Sequence, residues 1–440
     1  MSLKKYPIYV SSDSWQGDVP SHWRKTSLKY LGEYQNGYAF KPTDWGEIGR
    51  PIIRIAQLTS DAAPNLFAGK LDEKLKVEDG DLLFSWSATI DTYIWSSGPS
   101  WLNQHIFKVT PSADANKKFL FYLIKHVAPK LADVDAHGST MRHIKKEDLG
   151  ERVYVPDIEE QEAIAKFLDA ETSKIDALVA EQRRLIELLA EKRQAVISHA
   201  VTKGLDPHVR MKPSGIEWLG DVPEHWEVKK IKHSVLSIEQ GWSPQCENDP
   251  VDSEKQWGVL KVGCVNYGKF NADENKALPT DLEAKPELSI VQGDLLISRA
   301  NTIELVGSAA VAERDYPNLM LCDKLYRLRL NLNVLLPQFL CHFLTSELAR
   351  EPIELGASGA SPSMKNIAQS VITDLYFAAP DIAEQRRILD SLGSTLSELD
   401  HLALQVDQSI ALLQERRTAL ISAAVTGKID VREFASEETV

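Results

Sequence analysis

The run QEAIAKFLDAETSKIDALVAEQRRLIELLAEKRQAVISHAVTKGLD occupies residues 161–206, and a matching run occupies residues 385–430 without a gap. From about Ile158 to Val201, a segment that begins just before the first run, the chain contains neither proline nor glycine. Such a stretch predicts one uninterrupted helix. About forty residues at 1.5 Å each would make it roughly 60 Å long. The duplication therefore predicts two equivalent long helices.

Apolar residues recur every seven positions in both runs, which is typical of the seam of a two-helix coiled coil. An isolated long helix is stable only if it buries such a seam, and its duplicate is the obvious partner. Ordinary helical core remains the alternative interpretation. The predicted seam of the first helix is Leu168, Ile175, Gln182, Leu189 and Val196, with Leu178 and Leu185; that of the second is Leu392, Leu399, Val406, Leu413 and Leu420, with Leu402.

The ends of the two helices carry the same signals. Pro156-Asp157 and Pro380-Asp381 precede them, and an acid is favourable at the positive end of a helix. Gly204 and Gly427 follow the last seam residues and are typical helix stops. We expect both helices to begin and end at equivalent positions.

A second motif is also repeated. Residues 15–23 read WQGDVPSHW and residues 218–226 read WLGDVPEHW. The offset between the copies is 203 residues at this motif and 224 in the helices, so the second copy has gained residues in between. Few side chains agree there. One scaffold with divergent surfaces indicates one fold that recognises two different things.

Composition places the chain among ordinary globular proteins. It has 440 residues, of which 43% are hydrophobic and 26% charged, which is enough for two or more domains with cores. No run of eighteen apolar residues predicts a membrane span, and the first residues lack an apolar signal core, so we expect a cytoplasmic protein. The four cysteines lie only in the second copy, without zinc-ligand spacing, and are expected to be small buried residues.

The net charge of −13 does not favour nucleic acid, because phosphate binding needs a basic footprint. Its distribution is uneven: residues 1–155 carry 20 Lys+Arg against 18 Asp+Glu, whereas residues 207–379 carry 17 against 23. Contact with DNA would need a local basic cluster, or partner subunits that supply part of the affinity.

The segments outside the helices consist of short β-rich runs broken by turn residues, each followed by a helical piece. Examples are residues 51–55 and 81–84 in the first copy, and 259–262 and 294–297 in the second. This pattern predicts two similar α+β modules, each with a mixed sheet.

Arg, Lys, Asn, Gln and Ser near aromatic residues gather in matched loops of the two copies. Arg and Lys can pair with guanine, and Asn and Gln with adenine, in the major groove. The candidate DNA-binding residues of the first copy are Tyr38, Lys41, Arg54, Gln57, Ser85, Trp86, Ser87, Asn103, Gln104, His105, Ser139, Thr140, Arg142 and His143. Those of the second copy are Trp242, Lys261, Asn266, Arg299, Asn301, Lys324, Ser363, Lys365 and Asn366.

No motif predicts a catalyst. The chain lacks a phosphate loop, a dinucleotide-binding glycine pattern and a His-Glu-x-x-His motif. His22 and His225 invite a catalytic interpretation, but no Ser, Cys or carboxylate is expected beside both in the same way. Their Trp neighbours favour a structural role, and we expect neither a catalytic residue nor a metal site.

Near the end of each long helix, the two copies agree in sequence more closely than solubility alone would require. Residues 193–202 read RQAVISHAVT and residues 417–426 read RTALISAAVT. We interpret this shared pattern as a surface for protein partners, formed by Arg193, Ile197, Val201, Arg417, Ile421 and Val425.

Taken together, these motifs resemble the specificity subunits of type I restriction–modification systems. The resemblance covers essentially the whole chain and includes both WxGDVPxHW motifs, NGYAFK at 36–41, PIIRIAQ at 51–57, and PDIEEQ and PDIAEQ at the helix starts. One departure is at 240–242, where Gln-Gly-Trp replaces Asn-Gly-Tyr.

The resemblance implies two target recognition domains (1–155 and 207–379), each reading half of a split DNA site. Residues 156–206 and 380–440 would carry two helices forming an antiparallel coiled coil about a pseudo-twofold axis. This spacer would dock two methyltransferase subunits, and restriction subunits would add to the complex. S-adenosylmethionine, ATP and magnesium are then expected only in partner subunits, and none in this chain.

Two other classes of function remain open from the residues alone. A coiled-coil adaptor that joins two protein partners without DNA would agree with the acidic charge. An enzyme acting alone is disfavoured by the missing motifs.

Since two modules on one rod make the second contact effectively intramolecular, two weak half-sites could give tight binding.

Overall fold

The computed structural model describes residues 4–134, 143–246, 249–253, 255–361 and 364–434. The chain divides into two compact units, residues 1–183 with 407–440 and residues 184–406. Each unit therefore contains one β-rich module and a part of each long helix. Among the described residues, no helix has the length and apolar character needed to cross a membrane.

The first copy consists of short strands, a short helix, a medium helix and the first long helix. Its strands are β1 Tyr9–Ser11, β2 Asp18–Pro20, β3 Arg24–Ser27, β4 Gly32–Asn36, β5 Arg50–Ile53, β6 Leu66–Phe67, β7 Lys76–Val77, β8 Leu82–Ser85, β9 Asp91–Ile94, β10 Ser100–Leu102, β11 Ile106–Pro111 and β12 Arg152–Val155. Its helices are α1 Ile55–Thr59, α2 Lys117–Val134 and α3 Ile158–Lys203.

The second copy follows the same plan with more strands. These are β13 Met211–Pro213, β14 Asp221–Pro223, β15 Glu227–Lys230, β16 Val235–Gln240, β17 Gly258–Leu260, β18 Asn275–Ala277, β19 Ser289–Ile290, β20 Leu295–Ser298, β21 Ala300–Asn301, β22 Ala309–Val311, β23 Tyr316–Met320, β24 Leu325–Leu330, β25 Ser358–Ser361, β26 Met364–Asn366 and β27 Tyr376–Ala379. Its helices are α4 Pro337–Leu344, α5 Glu347–Leu355, α6 Gln369–Thr373 and α7 Ile382–Val425.

Both modules are built from the same pair of sheets. One sheet is antiparallel, with strand order β4-β11-β8-β9 in the first copy and β16-β24-β20-β22 in the second. The other is mixed, with order β6-β5-β10-β7 and β18-β17-β23-β19. Its central pair is parallel in both copies, β5 with β10 and β17 with β23. The predicted α+β fold with an internal repeat is confirmed.

The long helices begin and end as the sequence predicts. Asp157 Oδ1 accepts a hydrogen bond from the backbone N–H of Glu160 (2.9 Å), and Asp381 Oδ1 accepts one from Glu384 (2.8 Å). These acids are the N-caps. The terminal glycines, Gly204 (φ +79°) and Gly427 (φ +70°), adopt the left-handed conformation that ends a helix without a steric penalty.

The long helices pack against each other in opposite directions. In the first unit, the beginning of α3 shares a core with the end of α7, and Arg417 Nε is 2.8 Å from Asp176 Oδ1. In the second unit, the end of α3 shares a core with the beginning of α7, and Arg193 Nη1 is 2.6 Å from Asp400 Oδ1. The two ion pairs join the same two positions of the repeat, which confirms an antiparallel pair.

The seam register differs in one respect from the prediction. Leu178, Leu185 and Leu402 are 45%, 40% and 46% exposed, whereas Val179 and Ile186 are half-buried. Val179 and Ile186 each lie four residues after a seam residue of the repeat, Ile175 or Gln182, whereas the prediction placed the second seam residue three positions after it. A seven-residue repeat identifies the first seam position of each heptad. A second seam residue three positions later and one four positions later both agree with that repeat. The prediction for these three leucines was wrong.

The WxGDVPxHW motif attaches each module to its long helix. The Glu160 carboxylate, 6% exposed, accepts hydrogen bonds from Tyr6 Oη (2.7 Å) and Trp23 Nε1 (3.0 Å) and lies 2.8 Å from His22 Nε2. Burial and this carboxylate raise the pKa of Tyr6. We expected no carboxylate beside His22 and His225 in the same way, and this was wrong. The carboxylates come from the long helices, far along the chain: Glu160 of α3 in the first copy and Glu384 of α7 in the second. The structural interpretation of the motif agrees with this contact.

The second copy repeats the contact more weakly. Glu384 lies 2.8 Å from His225 Nε2 and accepts a hydrogen bond from Trp226 Nε1 (3.2 Å), but its carboxylate is more exposed.

Replacing Glu160 by alanine is expected to lower the free energy of unfolding by about 3 kcal/mol, because it leaves the buried Tyr6 and Trp23 donors without an acceptor. The matched variant Glu384→Ala should cost about 1 kcal/mol, since it frees one buried donor. Urea unfolding followed by tryptophan fluorescence measures both. A Glu160→Ala protein as stable as the parent would contradict this role.

Candidate nucleic-acid interface

The loops predicted to contact DNA are held by the same backbone hydrogen bonds in both copies. After β4, the N–H of Tyr38 donates to the carbonyl of Leu102 (2.8 Å); after β16, the N–H of Trp242 donates to the carbonyl of Leu321 (3.0 Å). Each bond ties the loop after the first strand of the antiparallel sheet to the end of a parallel strand of the mixed sheet.

Two further bonds gather the remaining loops of the first copy around Trp86. Its N–H donates to the carbonyl of His105 (3.2 Å), and its carbonyl accepts from the N–H of Ile144 (2.8 Å). Ser87 forms a β-bridge with His143. The loops at 85–87, 103–105 and 143–144 therefore meet at one place.

Arg299 occupies the position of Trp86 in the second copy. Its N–H donates to the carbonyl of Lys324 (2.8 Å), and its carbonyl accepts from the N–H of Ile367 (3.0 Å). Asn301 is paired with Lys365 between β21 and β26. The same backbone thus presents tryptophan and histidine in one copy, and arginine and lysine in the other.

The parallel strands bring a basic residue to the same place in each copy. Ile53 is in register with Leu102, so Arg54 follows β5 beside Asn103, which follows β10. In the second copy, Lys261 follows β17 beside the end of β23 in the equivalent way. Because the carboxyl ends of parallel strands lie at one edge of a sheet, side chains from distant parts of the chain converge there.

Several of these side chains carry polar atoms that no described residue satisfies. Arg54 Nε and His105 Nδ1 in the first copy, and Asn266 Oδ1 and Asn301 Nδ2 in the second, are buried without a hydrogen-bond partner. Buried polar groups are normally paired, so unpaired ones call for an explanation. Their presence on candidate residues of both copies is consistent with a bound partner that would supply the missing groups.

Aromatic rings hold the basic side chains at this interface. The Arg54 guanidinium lies 5.2 Å from the centre of the Trp45 ring, and Lys285 Nζ lies 4.4 Å from that of Trp242. Such cation–π contacts orient a cation without neutralising it. Trp45 and Lys285 were not among the predicted residues, because only the folded chain places them beside their partners.

Other predicted residues of the first copy already have partners within the protein. The Gln57 amide accepts from the N–H of Arg54 (3.1 Å) and donates to the carbonyls of Ala62 and Ala63 (both 3.3 Å). Ser85 is fully buried, and Asn103 is 7% exposed. These residues shape the loops, and base contact would require them to rearrange.

The exposed members of the set are few. Tyr38 is 40% exposed, and Lys41 and Lys324 are exposed. Gln104 is half-buried, with Nε2 3.1 Å from His105 Nε2. Arg299 Nη1 donates to the carbonyl of Asp323 (3.1 Å).

The last loop of each copy is described only in part. Lys365 Nζ donates to the carbonyl of Gly359 (2.6 Å), and Asn366 is half-buried in β26. Four predicted residues lie outside the described residues: Ser139, Thr140, Arg142 and Ser363.

An ion pair under the loops is also repeated. Lys108 Nζ lies 2.8 Å from Asp81 Oδ2, and at the equivalent place Arg327, 1% exposed, lies 3.4 Å from Asp294 and also contacts Glu239. Buried charges such as those of Arg327 and Asp294 persist only when paired, whereas Lys108 and Asp81 are half-buried. They fix the strands β8, β11, β20 and β24 from which the loops start.

The apolar residues of the predicted partner surface on the long helices are buried. Ile197, Val201, Ile421 and Val425 are at most 5% exposed and lie in the chain's own cores. The two arginines of the pattern, Arg193 and Arg417, are occupied by the ion pairs between α3 and α7. The repeated pattern is explained by helix packing, and the prediction that Ile197, Val201, Ile421 and Val425 bind partners was wrong. For Arg193 and Arg417 it stays a prediction.

The part of the interface that the structure describes shows no grouping typical of a metal centre. Within the described ranges, no three His, Cys, Asp or Glu residues are grouped closely enough to hold a metal ion. The four cysteines are free, and three of them are buried, as expected. Burial raises the pKa of Cys322 and Cys341 to about 12, so their thiols are protonated at neutral pH.

Comparisons with known proteins agree with this architecture. Residues 20–188 match the family "Type I restriction modification DNA specificity domain". The EcoBI specificity subunit of Escherichia coli is 23% identical over 93% of this chain and 87% of its own length. The MjaVIII specificity subunit of Methanocaldococcus jannaschii is 24% identical over 85% of each. A solved structure from work on complex assembly and conformational transition of the type I restriction–modification system has a TM-score of 0.66, at 15% identity, covering 92% of this chain and 98% of its own; it shows the same fold.

Proposed function

We propose that this chain, which belongs to the family of type I restriction–modification specificity subunits, reads a bipartite DNA target, one half with each module. One observation carries the proposal: an identical backbone framework presents Trp86 and His105 in one copy, and Arg299 and Lys324 in the other. Two related modules with different side chains at the same places fit two different half-sites. The specificity subunits in its family are not themselves the catalysts.

The finer assignments are part of the same proposal. Residues 1–155 and 207–379 are the two recognition domains, and the long helices are the spacer between them. Two methyltransferase subunits bind to the chain, and restriction subunits join that complex. S-adenosylmethionine, ATP and magnesium belong to those partners, and the partners' charge offsets the acidity of the second module.

Arg299 is the residue of the second copy best suited to base reading, because an arginine can pair with guanine through two hydrogen bonds. Replacing it by alanine is expected to weaken binding of the cognate duplex by about 10- to 100-fold, since such a pair is worth about 1–3 kcal/mol. The measurement is a gel shift of the chain with its methyltransferase partner, on cognate and random duplexes across salt concentrations. The control is Arg314→Ala, which alters an arginine of the same module that lies over Tyr316.

The modified-base map of cells that carry the chain tests the proposal as a whole. A bipartite motif with a fixed gap is expected, and Arg299→Ala should relax only one half of it. A continuous motif would contradict the two-module assignment. If the complex binds neither the cognate nor the random duplex at any salt concentration, the adaptor function replaces it.

A further inference from the structure

A cavity of about 420 Å³ lies in the first module, away from the candidate loops. Its lining includes Arg50, Lys70 and Trp101. Arg50 begins β5, whereas Arg54 of the candidate interface follows that strand. The cavity therefore opens at the other end of the parallel pair β5 and β10.

Two hydrogen-bond donors in this lining have no acceptor among the described residues. Arg50 Nη1 and Trp101 Nε1 are both buried and unpaired, and Trp101 is 5% exposed. The Arg50 guanidinium lies 4.4 Å from the centre of the Trp101 ring. An unpaired buried donor costs free energy, so two of them side by side indicate a site for an acceptor.

The lining favours an acceptor with negative charge. Arg50 and Lys70 contribute two cations and Glu73 one carboxylate, and within the described residues neither cation forms an ion pair. Arginine and tryptophan offer only donors, and planar guanidinium groups match phosphate oxygens well. The set fits a phosphoryl group better than a neutral ligand.

Close backbone packing forms part of the wall. Gly49 has φ +119°, and a Cβ there would overlap the backbone of Phe67; a Cβ at Gly69 would overlap the ring of the same residue. In the second copy, Trp257 and Met320 stand in place of Arg50 and Trp101, so the donor pair is specific to the first copy.

We propose that this cavity binds a phosphoryl group, either free phosphate or a phosphomonoester, or a backbone phosphate of bound DNA. Arg50 and Trp101 donate to its oxygens, and Lys70 adds charge at the rim. Phosphoryl binding in this cavity does not depend on the proposed function. Only the assignment of DNA as the source of the phosphate rests on the proposed function.

The test uses the full chain labelled with 5-fluorotryptophan and followed by fluorine NMR. The resonance missing from Trp101→Phe identifies Trp101. Inorganic phosphate, titrated at constant ionic strength, is expected to shift this resonance saturably. Arg50→Gln should weaken phosphate binding about tenfold or more, because charged hydrogen bonds are the strong ones. The control Lys74→Gln changes an exposed lysine already paired with Asp72 and should have no effect.

A cognate duplex, added to the chain with its methyltransferase partner, distinguishes the sources. The occupant is DNA if two results are found together: the duplex itself shifts the Trp101 resonance, and Arg50→Gln reduces the slope of log affinity against log salt concentration by the amount expected for about one phosphate contact. If the duplex has no effect while phosphate does, the ligand is free. A resonance unmoved by both overturns the proposal, as does equal weakening by Lys74→Gln. A continuous motif in the methylation map would instead count against the proposed function.

Discussion

Replacing Gly241 by alanine is expected to abolish recognition of the half-site read by the second module, and Gly37→Ala that of the half-site read by the first. A Cβ at Gly241 would overlap the carbonyl of Leu321, and one at Gly37 would overlap the backbone of Asn103. In both cases the obstacle is main chain, which cannot rotate away as a side chain can. The loop must then separate from the parallel strand to which it is bonded.

This separation would break the hydrogen bond from Trp242 to Leu321, or that from Tyr38 to Leu102, and displace the aromatic residue with it. Since a split target needs both halves, either variant should reduce binding of the cognate duplex by at least about 100-fold, the equivalent of roughly 3 kcal/mol. Binding measured with the methyltransferase partner, and the methylation map, record the loss. Hydrogen exchange should rise only in the altered module.

The matched controls place the same substitution in open space. A Cβ at Gly150 in the first copy, or at Gly393 within α7, would meet nothing within 4 Å. Gly150→Ala should leave binding unchanged, and Gly393→Ala should stabilise its helix by up to about 1 kcal/mol. Parent-like DNA binding by Gly37→Ala and Gly241→Ala would show that these loop contacts do not position the recognition residues.

The sequence alone predicts the repeated elements well because their signals are local. Helix boundaries at 157–158 and 381–382 depend on a capping acid and its near neighbours, and the terminal glycines act within one turn. Periodicity also predicts that the helices pair. It does not decide between Leu178 and Val179, because the choice depends on how the partner helix is rotated.

The candidate site is less predictable because its geometry depends on distant contacts. Trp86 and Ile144 are 58 residues apart but share a hydrogen bond, and Glu160 meets His22 across 138 residues. Residue type alone could not show that the Gln57 amide caps α1 instead of remaining free. Nor could it separate a partner surface from a helix seam at Ile197 and Ile421, since both require apolar residues with helical spacing.

Inserting seven residues into each long helix, after Arg183 and after Asp407, is expected to widen the unspecified gap of the DNA target by about three base pairs. A full heptad keeps the seam in register. At 1.5 Å per residue it adds about 10 Å, and base pairs are spaced by about 3.4 Å. The modified-base map should therefore show the same two half-sites farther apart.

An insertion into α3 alone provides the control. The ion pairs Arg417–Asp176 and Arg193–Asp400 lie on either side of the insertion point, so lengthening one helix cannot satisfy both. That variant should lose stability and methylation together, whereas the double insertion should retain both. A double-insertion protein that folds and methylates with the original gap would show that the helices do not set the spacing, and the spacer part of the proposal would have to be abandoned.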